Sequence, residues 1–190
     1  MAAPLPQPEG SVGRVLITDE QLRARVVEMG AAITADYRGR PPLLVGVLKG
    51  AFVFMSDLAR SIDLPVEIDF MAVSSYGFST ESSGVVQIIK DLDTDVRGRH
   101  VLLVEDIVDS GLTTDYLAEL LRARGPASFE MCALLVRSDA DSEGIRYIGF
   151  SVPPDWLVGY GLDVGERFRE LPSVHLFDVE AAAAQPPDGS

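Results

Sequence analysis

The sequence predicts an α/β fold: a parallel sheet of about five strands flanked by helices. Three observations predict it. Short apolar runs recur at residues 43–48 (LLVGVL), 101–104 (VLLV) and 131–136 (MCALLV), each with the length and composition of a strand buried on both faces. Segments with helical spacing lie between them, so strands alternate with helices. Charged and small polar residues follow the runs directly, at the edge where open α/β sheets bind ligands.

The size suits one domain. The chain has 190 residues, 47% apolar and 24% charged, ordinary proportions for a globular protein. We expect that domain over 13–180, with a mobile tail rich in Pro, Ala and Gly at 1–12 and another at 181–190. No apolar run approaches the roughly 20 residues that cross a bilayer, so no membrane partner is expected. The first ten residues lack the basic start and apolar centre of a secretory signal, which leaves the cytoplasm as the expected location. A formal net charge of −13 disfavours nucleic acid as a partner, because phosphate backbones need a basic face. A small polyanion remains compatible, since backbone N–H groups and Mg²⁺ can make a locally positive site. Cys132 sits inside an apolar run and reads as a buried strand residue.

In chain order, Thr18 opens the first helix with Gln21 three residues on, the pattern of a capping box. Leu22, Val26, Met29 and Ile33 then recur at helical spacing, and the helix ends before Gly39 and Pro41. The strand at 43–48 ends in Lys49-Gly50 and is followed by a helix-like segment at 51–62. A lysine there is ordinarily solvated; at a carboxyl-terminal strand end it also faces the ligand crevice. A strand at 66–73 precedes a small, polar stretch at 74–84, too long for a hairpin turn, before a strand resumes at 85–90. That stretch reads either as a loop tip or as a lid that excludes water. The acidic connector at 91–95 lacks the glycine and terminal glutamate of a calcium loop and reads as a solvated turn.

The richest stretch is 101–114, VLLVEDIVDSGLTT. The buried strand is followed by Glu105 and Asp106, then by Asp109-Ser110-Gly111-Leu112-Thr113-Thr114, with a helix-like segment at 116–124. A turn that feeds a helix start offers free N–H groups and the positive end of a dipole, which suits a phosphate. Ser, Thr or Asp at such a place is ordinarily only a cap. Three carboxylates within five positions tilt the balance, because charges at the end of a buried strand need a partner. Sugar hydroxyls or a metal ion would serve.

This stretch resembles the phosphoribosyl-pyrophosphate (PRPP) signature of the type I phosphoribosyltransferases, and in detail the hypoxanthine-guanine group of bacteria. The resemblance extends over roughly 14–178 through Lys49-Gly50, Ser75-Tyr76 and the segment PPDWLVGYGLDVGERFRELPSV. It implies the type I fold, with a small C-terminal purine-binding hood and a flexible lid loop. It also implies transfer of the phosphoribosyl group from PRPP to a 6-oxopurine, hypoxanthine or guanine, in purine salvage. A xanthine-preferring transferase and a nucleotide- or RNA-binding regulator of the same fold are the alternatives.

The site residues follow from the same resemblance. Glu105 and Asp106 would hold the ribose hydroxyls, and Asp109, Ser110, Gly111, Leu112 and Thr113, with the Thr114 hydroxyl, the 5′-phosphate. Lys49 and Gly50, whose preceding peptide bond is often cis in the family, and Arg169 would meet pyrophosphate. Ser75 and Tyr76 would belong to the lid. Ile107, Arg137, Trp156 and Leu157 would surround the purine, Arg137 standing where a lysine is usual. Asp163, with Glu105 and Asp106, would lie in or near the shell of Mg²⁺. Asp109 would take the proton from purine N7. The family implies a homodimer or homotetramer.

Overall fold

The computed structural model describes residues 9–75 and 86–179. Within them, the elements in order are β1 (Gly10–Ile17), α1 (Asp19–Asp36), β2 (Leu43–Leu48), α2 (Phe52–Ser61), β3 (Glu67–Ser75), β4 (Val86–Lys90), β5 (His100–Val108), α3 (Leu112–Ala123), β6 (Ser128–Arg137), β7 (Ile145–Val152), β8 (Leu157–Val158) and β9 (Val174–Val179). The main sheet has the order β4-β3-β2-β5-β6-β7. Strands β3, β2, β5, β6 and β7 run parallel, and β4 closes the edge antiparallel to β3.

Alternation along the central strands builds two cores. Leu44, Leu102, Val104 and Leu134 pack with Leu22, Val26, Phe54 and Leu58 of α1 and α2. Their neighbours Leu43, Val45, Val101 and Leu103 pack with Leu117 and Leu121 of α3 on the other face. Side chains one residue apart in a strand point to opposite faces, so a continuous apolar run is what a doubly covered strand requires. Thr18 caps α1 as its sequence predicts: its hydroxyl accepts from Gln21 N–H, and the Gln21 side chain accepts from Thr18 N–H at 2.9 Å.

Four details differ from the sequence expectation. First, β1 begins at Gly10, inside the stretch assigned to an N-terminal tail, and pairs antiparallel with β9. With β8 on the far side of β9, these strands make a second sheet. Its pairing partners lie at opposite ends of the chain, where local pattern carries no signal. Second, β5 does not stop at Val104 but continues to Val108, so Glu105 and Asp106 lie within the strand. Third, α3 starts at Leu112 rather than near Tyr116, with Gly111 at its N-cap in the left-handed region, φ 80°. Fourth, the acidic connector after β4 is not a purely solvated turn. The buried Asp69 carboxylate accepts N–H groups from Asp93 and Thr94 at 2.9 and 2.8 Å and organises it.

The sheet order places the site. From β2 the chain moves outward to β3; from β4 it returns to the other flank of β2 as β5. The crevice beyond the carboxyl ends of β2 and β5 is therefore the switch point of the sheet, where α/β folds bind ligands.

Candidate functional site

Lys49-Gly50 follows β2 at this switch point, and the Leu48–Lys49 peptide bond is cis. Gly50 is required by close approach. A Cβ there would overlap the Asp106 carboxylate, while Gly50's own carbonyl fills the space where a Cβ on Gly161 would lie. The loop after β2, the end of β5 and the C-terminal segment thus meet at one point.

The two neighbouring carboxylates of β5 face opposite sides, as strand alternation dictates. Glu105 lies on the α3 side and, with Ile107, Asp109, Ser110, Gly111 and Thr113, lines a cavity of about 180 Å³ in front of the α3 N-terminus. Glu105 is buried, and its Oε1 has no hydrogen-bond partner. Burial, then the charge of Asp106, pushes its carboxyl well above the usual carboxylate range. The first N–H groups of α3 open onto the same cavity, and the Gly111 conformation leaves the N-cap without a competing side-chain bond. That is a phosphate-sized cradle with a carboxyl at its rim.

Asp106 lies on the other side, toward Gly50 and Arg169. Burial pushes its carboxyl up to about 6, although the Ile107 N–H and the Arg169 charge pull the other way. Around it stands a charged cluster. The Lys49 Nζ is 3.0 Å from Glu166 Oε2. Arg169 Nη2 is 2.8 Å from Asp163 Oδ1 and 3.3 Å from the same Glu166 oxygen, while Nη1 donates to Gly161 O at 2.7 Å. Asp163 Oδ2 accepts Glu166 N–H at 2.7 Å, so both Asp163 oxygens are engaged. The sequence brought Lys49, Asp163 and Arg169 together as candidates, and the structure places them in one cluster. Glu166 was missed: an acid in a segment rich in charge carries no distinguishing sequence signal. Its backbone does. Tyr160, Glu166 and Phe168 have φ of 51°, 64° and 78°, and they are the positive-φ residues other than glycine in the described chain. Such strain concentrates at functional sites.

Arg137 ends β6 and faces the turn. Its Nε lies 2.8 Å from Asp109 Oδ1, an ion pair rather than a hydrogen bond, because that N–H is not aimed at the oxygen. Its Nη1 donates to the carbonyls of Pro153 and Asp155 at 3.1 and 2.6 Å. Trp156, next in the chain, is 51% exposed, and Leu157 is buried in β8. Ile107 is half-buried on the cavity wall. Of the expected lid residues, Ser75 closes β3, and Tyr76 lies outside the described residues.

Two features bound what the arrangement can hold. No group of three or more His, Cys, Asp or Glu residues is gathered closely enough to make a metal centre among the described residues. A Mg²⁺ that takes most of its oxygens from a substrate and water, and one or two from carboxylates, does fit a site with the unpartnered Glu105 and the Asp106 carboxylate. A second cavity, about 750 Å³, lies between α1, α2 and the C-terminal segment and shares Arg169 with the cluster. Two pairs of its charges meet within it, Arg23–Asp19 and Arg60–Asp57. It lies beside the helices rather than at the strand ends, so the chemistry belongs to the smaller crevice. No helix of the described residues is long and apolar enough to cross a membrane.

Known proteins agree with this geometry. The family model described as the phosphoribosyl transferase domain matches residues 17–164. A hypoxanthine-guanine phosphoribosyltransferase of Mycobacterium tuberculosis (strain ATCC 25618 / H37Rv) is 50% identical over 177 residues, covering 89% of this chain and 88% of its own. That of Bacillus subtilis (strain 168) is 50% identical over 165 residues, covering 86% and 92%. Among solved structures, a hypoxanthine phosphoribosyltransferase from Staphylococcus aureus is similar with a TM-score of 0.83 and 44% identity, over 88% of this chain and 92% of its own. A hypoxanthine phosphoribosyl transferase from Trypanosoma cruzi, studied for the role of its C-terminal region in oligomeric state and activity, gives a TM-score of 0.83 at 35% identity, over 90% and 94%.

Proposed function

This chain belongs to the phosphoribosyl transferase family, and we propose that it is a hypoxanthine-guanine phosphoribosyltransferase of purine salvage. It transfers the 5-phosphoribosyl group of PRPP to hypoxanthine or guanine and releases pyrophosphate, giving IMP or GMP. The observation that carries this reading is the opposite facing of Glu105 and Asp106 at the sheet's switch point. One carboxyl borders the phosphate-sized cavity at the α3 N-terminus; the other borders the Gly50, Lys49 and Arg169 cluster. A ribose between them would have its 5′-phosphate on one side and its pyrophosphate on the other.

The family resemblance assigns the roles, and that placement supports those at the phosphate and pyrophosphate ends. The N–H groups and hydroxyls of Asp109 to Thr113 cradle the 5′-phosphate, with Thr114 behind them. Glu105 and Asp106 accept hydrogen bonds from ribose hydroxyls. Lys49, the Gly50 backbone and Arg169 meet the pyrophosphate and stabilise the negative charge that leaves with it. Trp156 offers a face for the purine ring, with Ile107 and Leu157 on its flanks. Asp109 accepts the N7 proton as N9 attacks the ribose carbon. Ser75 and Tyr76 belong to a lid that keeps water from the positively charged ribose. One or two of Glu105, Asp106 and Asp163 would hold Mg²⁺ together with substrate oxygens and water, Asp163 after exchange of its present partners. When bound, Mg²⁺ supplies charge neutralisation of the pyrophosphate.

Arg137 departs from a base-reading role. Its Nη1 is engaged by two carbonyls and its Nε stands at Asp109, so we assign it the placing of Asp109 and of the Trp156 segment. The proposal also takes the chain as one domain that forms a homodimer or homotetramer in the cytoplasm.

Initial rates with PRPP, Mg²⁺ and each of hypoxanthine, guanine, xanthine and adenine test the function. Pyrophosphate release with hypoxanthine and guanine is expected. No release with any base would sink the reading, and release with xanthine alone would move it to the xanthine-preferring class.

A further inference from the structure

The two cations expected to receive pyrophosphate meet at one acid. Lys49 Nζ and Arg169 Nη2 share one oxygen, Glu166 Oε2, at 3.0 and 3.3 Å. Arg169 is otherwise anchored: Nη1 donates to Gly161 O, and Nη2 also stands 2.8 Å from Asp163 Oδ1, so Glu166 is one of its two acidic partners and the one it shares with Lys49. Glu166 is itself fixed in place. Its N–H is bound by Asp163 Oδ2 and its backbone is held at φ 64°. A non-glycine residue pays a steric penalty in that region, so the turn is over-determined by its surroundings. The Glu166 side chain is nonetheless 63% exposed, so an arriving anion can reach the oxygen that joins the two cations.

A carboxylate oxygen between a lysine and an arginine is the contact that a pyrophosphate oxygen would make. We propose that Glu166 is a built-in surrogate for pyrophosphate. Its carboxylate pairs Lys49 with Arg169 while the site is empty, the pyrophosphate group of PRPP takes both cations from it, and its return assists the departure of pyrophosphate. This rests on the phosphoribosyl-transfer reading and adds to it a residue that competes with substrate.

The test measures binding of magnesium pyrophosphate and of PRPP by titration calorimetry, in the full-length chain and in Glu166→Gln, which keeps shape and removes charge. Binding of both probes should tighten about two- to fivefold in the variant, the scale of an exposed ion pair, and pyrophosphate should dissociate more slowly. GMP, which has no pyrophosphate, should bind both proteins equally. Glu166→Ala gives a second measure that does not depend on the amide's own hydrogen bonds, and thermal melting reports whether each variant is folded. Equal or weaker pyrophosphate binding in folded variants would overturn the surrogate role. If the unaltered chain binds neither PRPP nor pyrophosphate, the phosphoribosyl-transfer reading itself fails, and that outcome is distinct from the first.

Discussion

Arg137 and Asp109 stand 2.8 Å apart across the gap between the ends of β6 and β5, the arginine largely buried and the aspartate largely exposed. The same guanidinium holds the Pro153 and Asp155 carbonyls. One side chain therefore ties the turn that carries Asp109, the proposed proton acceptor, to the segment that carries Trp156. Arg137→Leu should remove both ties. Hydrogen bonds to a charged group contribute about 1.5–3 kcal/mol each, so kcat/KM for hypoxanthine should fall at least about tenfold. Arg137→Lys keeps the charge but not the planar fork, and should fall between. The KM for PRPP should stay near its original value in both; a rise in that constant alone would place Arg137 with the phosphates.

Asp109→Asn keeps the size of the side chain and removes its ability to accept a proton. Turnover should fall at least about a hundredfold, the usual contribution of a positioned base. PRPP binding should persist, because the backbone of the turn remains. Near-normal turnover in a single-turnover experiment would reject the proton-acceptor role.

Gly50→Ala tests the meeting of the loop with β5. The new Cβ overlaps the Asp106 carboxylate, which must turn away from the loop to make room. Overpacking of this kind costs about 1–3 kcal/mol, and here it falls on the groups assigned to PRPP. The KM for PRPP should rise roughly tenfold while nucleoside binding at the Trp156 side changes little. Equal losses on both sides would point to general unfolding, which a melting curve would reveal.

The free protein should lose stability as pH rises across the acidic range. The folded Asp106 carboxyl is pushed up from 3.8 to about 6, chiefly by burial, and Glu105 is raised further for the same reason. A carboxyl that holds its proton more tightly when folded stabilises the fold below its unfolded value, and that contribution is lost as pH climbs through the folded one. For Asp106 the window is pH 3.8 to about 6, and the loss is of order 3 kcal/mol. Thermal melts of the metal-free chain should therefore show a decline over that window that Asp106→Asn flattens. A variant with the unaltered slope would assign the decline to other groups.

How much of this was legible from residues alone depended on whether the signal was local. The capping box at Thr18, the strand at Leu43–Leu48 and the apolar centre of the strand at Ser128–Arg137 are written in adjacent residues, and they were read correctly. The pairing of Gly10–Ile17 with Val174–Val179 was not, because β-pairing across the length of a chain leaves no periodic trace beyond a short alternation. The length of β5 was misjudged because carboxylates normally end a buried strand, and here they continue it at the cost of raised protonation. Glu166 was invisible for a third reason. Its place between Lys49 and Arg169 depends on a left-handed backbone turn that no residue type announces.

Trp156 is the protein's single tryptophan, and about half of it faces solvent. An exposed aromatic of that size gains little from the protein's own packing, whereas a purine stacked on it would cover its face. Stacking of a base on an aromatic contributes about 1–3 kcal/mol, so Trp156→Ala should raise the KM for hypoxanthine roughly tenfold or more. Trp156→Phe should recover most of that loss, because it keeps a ring. The unaltered chain supplies its own probe: GMP should quench and shift its tryptophan fluorescence, and pyrophosphate, bound beside Lys49, should not. Quenching by pyrophosphate alone would mean that the tryptophan reports lid or loop movement and that the base lies elsewhere.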